Sequence, residues 1–150
     1  MASVATLNSE ASTVMAKIIA CIPTGPNSHN FVKIDNSGGG YMPLCVERGV
    51  LDIDDILELL PYKEKFSLAL AHYGEQMGDL MRDPEVVFAC YKTEKGWHYA
   101  PITFENSYLA VYERDVFVKD KGLRIKERSQ RELCEFCDQW LMNIADQQEL

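Results

Sequence analysis

Phe66–Tyr91 reads FSLALAHYGEQMGDLMRDPEVVFACY, and its interpretation decides the fold. Two apolar runs, Phe66–Tyr73 and Val86–Tyr91, have the length and residue types of strands. Between them a polar connector gathers Glu75, Gln76, Gly78, Asp79, Arg82, Asp83 and Glu85, with His72 at its upstream edge. Gly78-Asp79 and Asp83-Pro84 are turn sequences, so the stretch predicts the central hairpin of an antiparallel sheet, joined through turns. Asp79 and Asp83 are expected to bond nearby backbone N–H groups, with Arg82 pairing to either.

Upstream, Asn30–Asp35 and Tyr41–Glu47 read as two strands joined by Asn36-Ser37-Gly38-Gly39-Gly40, where glycine reaches positive φ without steric cost. Pro43 has no N–H and belongs at an edge, a strand start or a bulge. The triple glycine lacks the Lys-Ser/Thr of a phosphate loop. Within Gly49–Pro61, Ile53, Ile56, Leu57 and Leu60 share one helical face. Asp52, Asp54 and Asp55 occupy the first turn, where carboxylates meet unpaired N–H groups. This short acidic helix is expected to lie as a lid over one sheet edge.

Downstream, Trp97–Phe104 and Tyr108–Glu113 alternate as strands, the first joined to Val86–Lys92 by a tight hairpin at Thr93–Gly96. Val116–Val118 and Leu123–Ile125 pair across Lys119-Asp120-Lys121-Gly122. Apolar residues at three- and four-residue spacing predict a helix from Asn8 or Ser9 to Ile22, its stripe being Ala11, Val14, Met15, Ile18, Ile19 and Ile22. They predict a second from Ser129, with a Ser129/Glu132 capping box and a stripe of Leu133, Phe136, Cys137, Trp140, Leu141 and Ile144. The expectation is a single α+β domain over residues 1–150. It has a mostly antiparallel sheet of about six to eight strands, N- and C-terminal helices packed on one face, and the short acidic helix inserted.

The chain has 150 residues, 47% hydrophobic and 25% charged, with a net charge of −8. A bare phosphate-binding surface is not expected from that balance, whereas attraction to a basic partner is. No apolar run is long enough to span a membrane, and MASVATLNSEAST does not resemble a signal peptide. Cys21, Cys45, Cys90, Cys134 and Cys137 are read as reduced, cytosolic and largely core-packing. Cys134 and Cys137 form a CxxC inside a helical core stripe, without further zinc ligands. His29 lies in the polar Thr24–His29 loop and reads as solvated.

His72 shares a face with Leu68 and Leu70, and His98 with Ala100, Ile102 and Phe104. Histidines on apolar faces are usually hydrogen-bonded core residues. If they met Asp79 or Glu85 across the sheet they would form an acid–base or metal site. No nucleophile–base pattern, GxSxG, HExxH or GxGxxG occurs, so no catalytic residue, metal or cofactor is assigned.

KIDN at Lys33–Asn36, YMPLCVE at Tyr41–Glu47 and AHYGEQMGDLMRDPE at Ala71–Glu85 resemble an uncharacterised domain family of plasmids, phages and integrative elements of Gram-positive bacteria. The resemblance covers roughly residues 30–115. Met77 departs from it where a small polar turn residue such as Asn is expected, and Asp52–Leu60 looks like an insertion. The resemblance implies a mobile-element setting in a bacterial host cytoplasm and no mechanism. Small, acidic, motif-poor proteins of such elements often inhibit host defence, as antirestriction and anti-CRISPR proteins do.

Three readings follow. The leading one is a non-enzymatic binding protein that occludes a basic host nuclease or nucleic-acid-binding defence complex. Its acidic surface would comprise Glu47, Asp52, Asp54, Asp55, Glu58, Glu75, Asp79 and Asp83, with no direct nucleic-acid binding. A second is a small metal-dependent hydrolase using His72, Glu75, Asp79, Asp83 and Glu85, whose side chains must then converge. A third is a sponge for an immune signalling nucleotide, with Tyr73, Trp97, Tyr99 and Tyr108 around a basic pocket. The edge strands leave room for a dimer.

Overall fold

A computed structural model describes residues 3–26 and 29–150. Part of the expected Thr24–His29 loop, Asn27 and Ser28, lies outside the described residues, as do Met1 and Ala2. His29 is exposed. The fold is α+β. Helix α1 (Ser9–Ala20) precedes β1 (Phe31–Ile34) and β2 (Leu44–Arg48). A 3-10 turn, Leu51–Ile53, then leads into α2 (Asp54–Leu59). Next come β3 (Lys65–Gln76), β4 (Asp79–Thr93), β5 (Gly96–Asn106) and β6 (Val111–Arg114), then β7 (Val116–Lys119), β8 (Gly122–Ile125) and α3 (Glu127–Gln148). Strands β1 to β6 form one antiparallel meander in chain order, and β7–β8 form a separate ribbon. The main sheet thus has six strands, within the expected six to eight, and the last two strands stand apart as a ribbon.

Side-chain alternation gives the large sheet two buried faces. Leu68 and Leu70 of β3 and Val86, Phe88 and Cys90 of β4 join the core built with α1 and α3. Ala69, Val87, Ala89 and Tyr91 point the other way, into a second core with Ile53, Ile56, Leu60 and Val116. The acidic helix thus covers a face of the sheet rather than an edge. Small residues on that face let a one-and-a-half-turn helix and a two-stranded ribbon approach closely. On α3, Leu133, Cys137, Trp140, Leu141 and Ile144 are buried, each large apolar side chain stabilising by roughly 1.5–3 kcal/mol. Phe136 is 42% exposed, so the stripe is narrower than expected.

The central hairpin departs most from the sequence reading. The expected connector is almost entirely strand, because β3 and β4 run on to a two-residue turn at Met77-Gly78. Both turn residues have positive φ, 53° and 85°, as required by the hairpin turn whose twist matches its strands. Asp83-Pro84 is a bulge: Ala71 pairs with Glu85 and Tyr73 with Arg82, so one residue, His72, faces two. That peptide is cis. A bulge admits proline because it breaks the ladder locally. A second irregularity near Pro101–Thr103 puts Phe104 on the α3 side, opposite Ala100 and Ile102.

Two smaller expectations change as well. Tyr108–Ala110 is turn, leaving β6 to begin at Val111. Ser129 does not cap α3; the helix starts at Glu127, and the Ser129 hydroxyl donates to buried Asp115 Oδ1 at 2.7 Å. Asn8 does cap α1, accepting from Ala11 N at 2.9 Å. No helix among the described residues is long and apolar enough to cross a membrane.

Candidate functional site

The Met77 end of the β3–β4 hairpin brings some of the expected residues together and separates others. His72 is buried on the α3 face, with Nδ1 3.0 Å from the Pro43 carbonyl and its ring edge-on to Trp140. Glu85 pairs in register with Ala71 and Glu105 and lies on the α2 face. His72 and Glu85 are therefore on opposite sides of the sheet. Asp79 pairs with Gln76, and Glu75 with Leu80, so these two carboxylates also alternate to opposite sides. Asp83 is held by Asn106, whose Nδ2 donates to Oδ1 at 3.2 Å. Among the described residues no three His, Cys, Asp or Glu side chains gather where a metal ion could be held.

A different set does converge. Arg82 lies 3.4 Å from Glu85 and 3.8 Å from Glu105, rather than on Asp79 or Asp83. The Tyr73 hydroxyl donates to Glu85 Oε2 at 3.5 Å. Burial raises the Glu85 pKa, Arg82 opposes the rise, and Asp52 and Glu105 add to it. Beside this network runs an open groove of about 440 Å³, lined by Phe31, Lys33, Pro43, Cys45, Tyr73 and Leu80. Burial pushes the Cys45 thiol up, with Lys33 opposing; a catalytic cysteine needs the reverse. The arrangement can orient and recognise, but it holds no activated nucleophile.

The groove lining is largely apolar apart from Lys33, and the hairpin, β2 and α2 carry exposed apolar and acidic residues. Met77 is 99% exposed, Leu80 68% and Phe31 47%. Glu47 on β2, Asp52, Asp54, Asp55 and Glu58 on the turn and α2, and Glu75 on β3 are all exposed. Asp55 is engaged by Arg114 Nη2 at 2.7 Å, and Arg114 also donates to the Asp52 carbonyl. Tyr108 packs over Gly74, where any side chain would collide with its ring. That contact gives the glycine a reason that turn chemistry did not reveal.

The five cysteines are free. Cys90, Cys134 and Cys137 are buried, Cys45 is partly so, and Cys21 is exposed, against the expectation that it packs in the core. Burial pushes the Cys134 thiol up to about 12 and Cys137 well above its ordinary value, so the CxxC is held as inert thiols.

The aromatics expected around one pocket are dispersed. Trp97 and Tyr99 line a groove with Phe66 and Arg48, and Tyr73 and Tyr108 lie at the Met77 end. At the opposite end of the hairpin a different aromatic group forms. Tyr62 stacks on Tyr91 with centroids 4.4 Å apart, and Tyr91 stacks on His98 at 5.5 Å. Sequence reasoning missed this group because the three residues lie in separate segments, joined only by the β4–β5 register that sets Tyr91 opposite His98.

Neither a curated protein nor a solved structure matches the chain. Residues 14–150 match the family described as Domain of unknown function (DUF6908), a span wider than the region of resemblance and one that takes in most of α1 and all of α3. With nearly the whole fold inside that match, the chain belongs to this uncharacterised domain family.

Proposed function

We propose that the protein is a non-enzymatic binding protein that docks a basic, nucleic-acid-binding protein through the Met77 end of its central hairpin. The mobile-element setting implied by the resemblance makes a host nuclease or defence complex in the bacterial cytoplasm the partner, occluded in the manner of an anti-CRISPR or antirestriction protein. One observation carries the reading: Met77 adopts φ 53° while 99% exposed, at the tip of an otherwise well-paired hairpin. A left-handed conformation costs a non-glycine residue roughly 1–2 kcal/mol; the paired hairpin offsets it, but the Met77 side chain itself stands almost wholly in solvent. A turn needs no apolar side chain at this position, so a fully exposed methionine there supports an outside contact. Leu80 and Phe31 supply further apolar area. Glu47, Asp52, Asp54, Asp55, Glu58 and Glu75 form the charged rim, which raises association rates with a basic partner.

The test compares pull-downs from a bacterial lysate at low and moderate salt, using the wild-type chain and Met77→Asp/Leu80→Asp. A basic nucleic-acid-binding protein retained by the wild type and lost by the variant supports the reading. Recovery of no such partner, or equal recovery by both chains, counts against it.

A further inference from the structure

The end of the hairpin remote from Met77 has a chemistry that the net charge of the chain conceals. Three turns meet there, and each carries two lysines around an acid: Lys63-Glu64-Lys65, Lys92-Thr93-Glu94-Lys95 and Lys119-Asp120-Lys121. These segments thus hold six lysines against three carboxylates in a protein whose net charge is −8. Their convergence follows from the fold. Lys65 pairs in register with Tyr91, and its Nζ donates to the Leu60 carbonyl. Lys121 lines one groove with Tyr62 and Tyr91.

Two grooves adjoin at this end and share Ser3, Val4, Tyr62 and Tyr91. The first, about 420 Å³, is mainly apolar, with Leu60 and Leu123 in its wall and Lys121 at its rim. The second, about 540 Å³, is polar and carries Thr93, Glu94, Lys95 and His98. Tyr62 and His98, each half-buried, flank buried Tyr91 and keep ring surface open to these grooves. Thr93 Oγ1 lies 2.8 Å from His98 Nε2 and accepts from Lys95 N at 3.2 Å, which fixes the imidazole plane. Lys92 is paired with Glu64 at 3.7 Å, whereas no carboxylate among the described residues lies within ion-pair distance of Lys95 or Lys121.

From this juxtaposition we infer that the Tyr62–Tyr91–His98 end is a binding site for a small ligand of the mononucleotide class, a planar aromatic ring carrying a phosphate. The ring packs on the face of Tyr62 turned away from Tyr91, since every nucleobase presents a π-face that stacks on aromatics with little regard to sequence. The phosphate is met by Lys95 and Lys121, the cations of the two grooves that no acid neutralises. Glu94, the carboxylate in the lining, is an acceptor for ribose hydroxyls or an exocyclic amine. The site is apolar and aromatic with a few convergent polar groups, as small-molecule sites generally are. It is independent of the Met77 surface, and either assignment can fail without the other.

The experiment titrates the full chain, by two-dimensional amide NMR and calorimetry, with each of the four ribonucleoside 5′-monophosphates, with adenosine, and with inorganic phosphate. At least one monophosphate is expected to bind, with shifts confined to Tyr62, Tyr91, Thr93–His98 and Asp120–Leu123. Adenosine is expected to bind more weakly at the same residues. Lys95→Glu/Lys121→Glu changes two exposed side chains and is expected to lower monophosphate affinity at least tenfold while sparing adenosine. Tyr62→Leu, which keeps apolar bulk but removes the ring, is expected to weaken both. The inference is overturned if no monophosphate binds at millimolar concentration. It is equally overturned if shifts map elsewhere, if phosphate alone binds as well, or if the charge-reversed variant binds unchanged.

Discussion

The two ends of the β3–β4 hairpin are built from the same backbone device and carry opposite chemistry. At one end Met77-Gly78 forms a turn with positive φ at both positions, and at the other the β7–β8 ribbon does the same with Asp120-Lys121. Met77 presents an apolar side chain among exposed acids, and Lys121 presents a cation beside stacked aromatics. A net charge is a sum over both ends and describes neither. The lesson extends to the sheet faces. Deleting either covering layer would expose an apolar surface, so both layers belong to one cooperative unit, while the ends remain free to recognise different things.

The comparison is most severely tested through Gln130, which is 1% exposed and holds the N-terminal segment over the lysine end. Its Oε1 accepts from Ala5 N at 2.7 Å, and its Nε2 donates to the carbonyls of Ala5 and Pro101. Gln130→Leu strands one buried and two partly buried backbone groups and should cost on the order of 2–3 kcal/mol in urea unfolding. Fast amide exchange should then appear at Ala5, with little change at Met77. If both ends lose protection equally, they are not separable.

At the Met77 end, Gly74→Val drives the Tyr108 ring off the sheet and should cost about 2 kcal/mol by overpacking. Tyr108 resonances should move while those of Tyr62 stay in place. Met77→Asn suits the left-handed position better and should raise stability by about 0.5–1 kcal/mol. The same change should weaken partner capture, since the tip loses its apolar contact. A variant both more stable and equally well retained would show that the strain serves no contact. Arg114→Ala removes a largely surface link to Asp55 and should cost less than about 1 kcal/mol.

The slightest signal is a slope with pH. Because burial raises the Glu85 carboxyl pKa in the folded chain, the folded state holds its proton more tightly than the unfolded state. Stability from this group is then present below the unfolded carboxyl pKa and is lost as pH rises through the raised folded value. Glu85→Gln should flatten that fall in a series of urea midpoints above about pH 4.5. An unchanged slope would mean that Glu85 is not the residue responsible.

Much of this was legible in the residues. The α1 and α3 stripes, most of the strands and the acidic helix follow from spacings of three and four or of two, which depend on backbone geometry alone. Asn8 was readable as a cap for the same local reason. The connector was misread because glycine, aspartate and proline speak for turns in isolation, whereas pairing with β3, bonds between Ser107 and the Arg82 backbone, and the Asn106 side chain on Asp83 hold the segment extended. Ser129 was misread because its hydroxyl found a buried carboxylate, Asp115, brought by the junction of β6 and β7. The lysine-bearing turns were visible as short patterns, but nothing local said that they meet.

What the sequence determined by itself is therefore the class of fold, the identity of most elements and the apolar stripes of the two long helices. These are set by periodicity and by the cost of leaving apolar stripes in water. Tertiary structure alone decided where chemistry gathers. The register that pairs Ala71 with Glu85 put His72 and Glu85 on opposite faces, and an irregularity in β5 turned Phe104 to the α3 side. Cross-strand register set Tyr91 beside His98, and the packing of α2 and the β7–β8 ribbon on one face brought Tyr62 and Lys121 to them. Each of these depends on pairing between residues far apart in the chain, which no local spacing encodes.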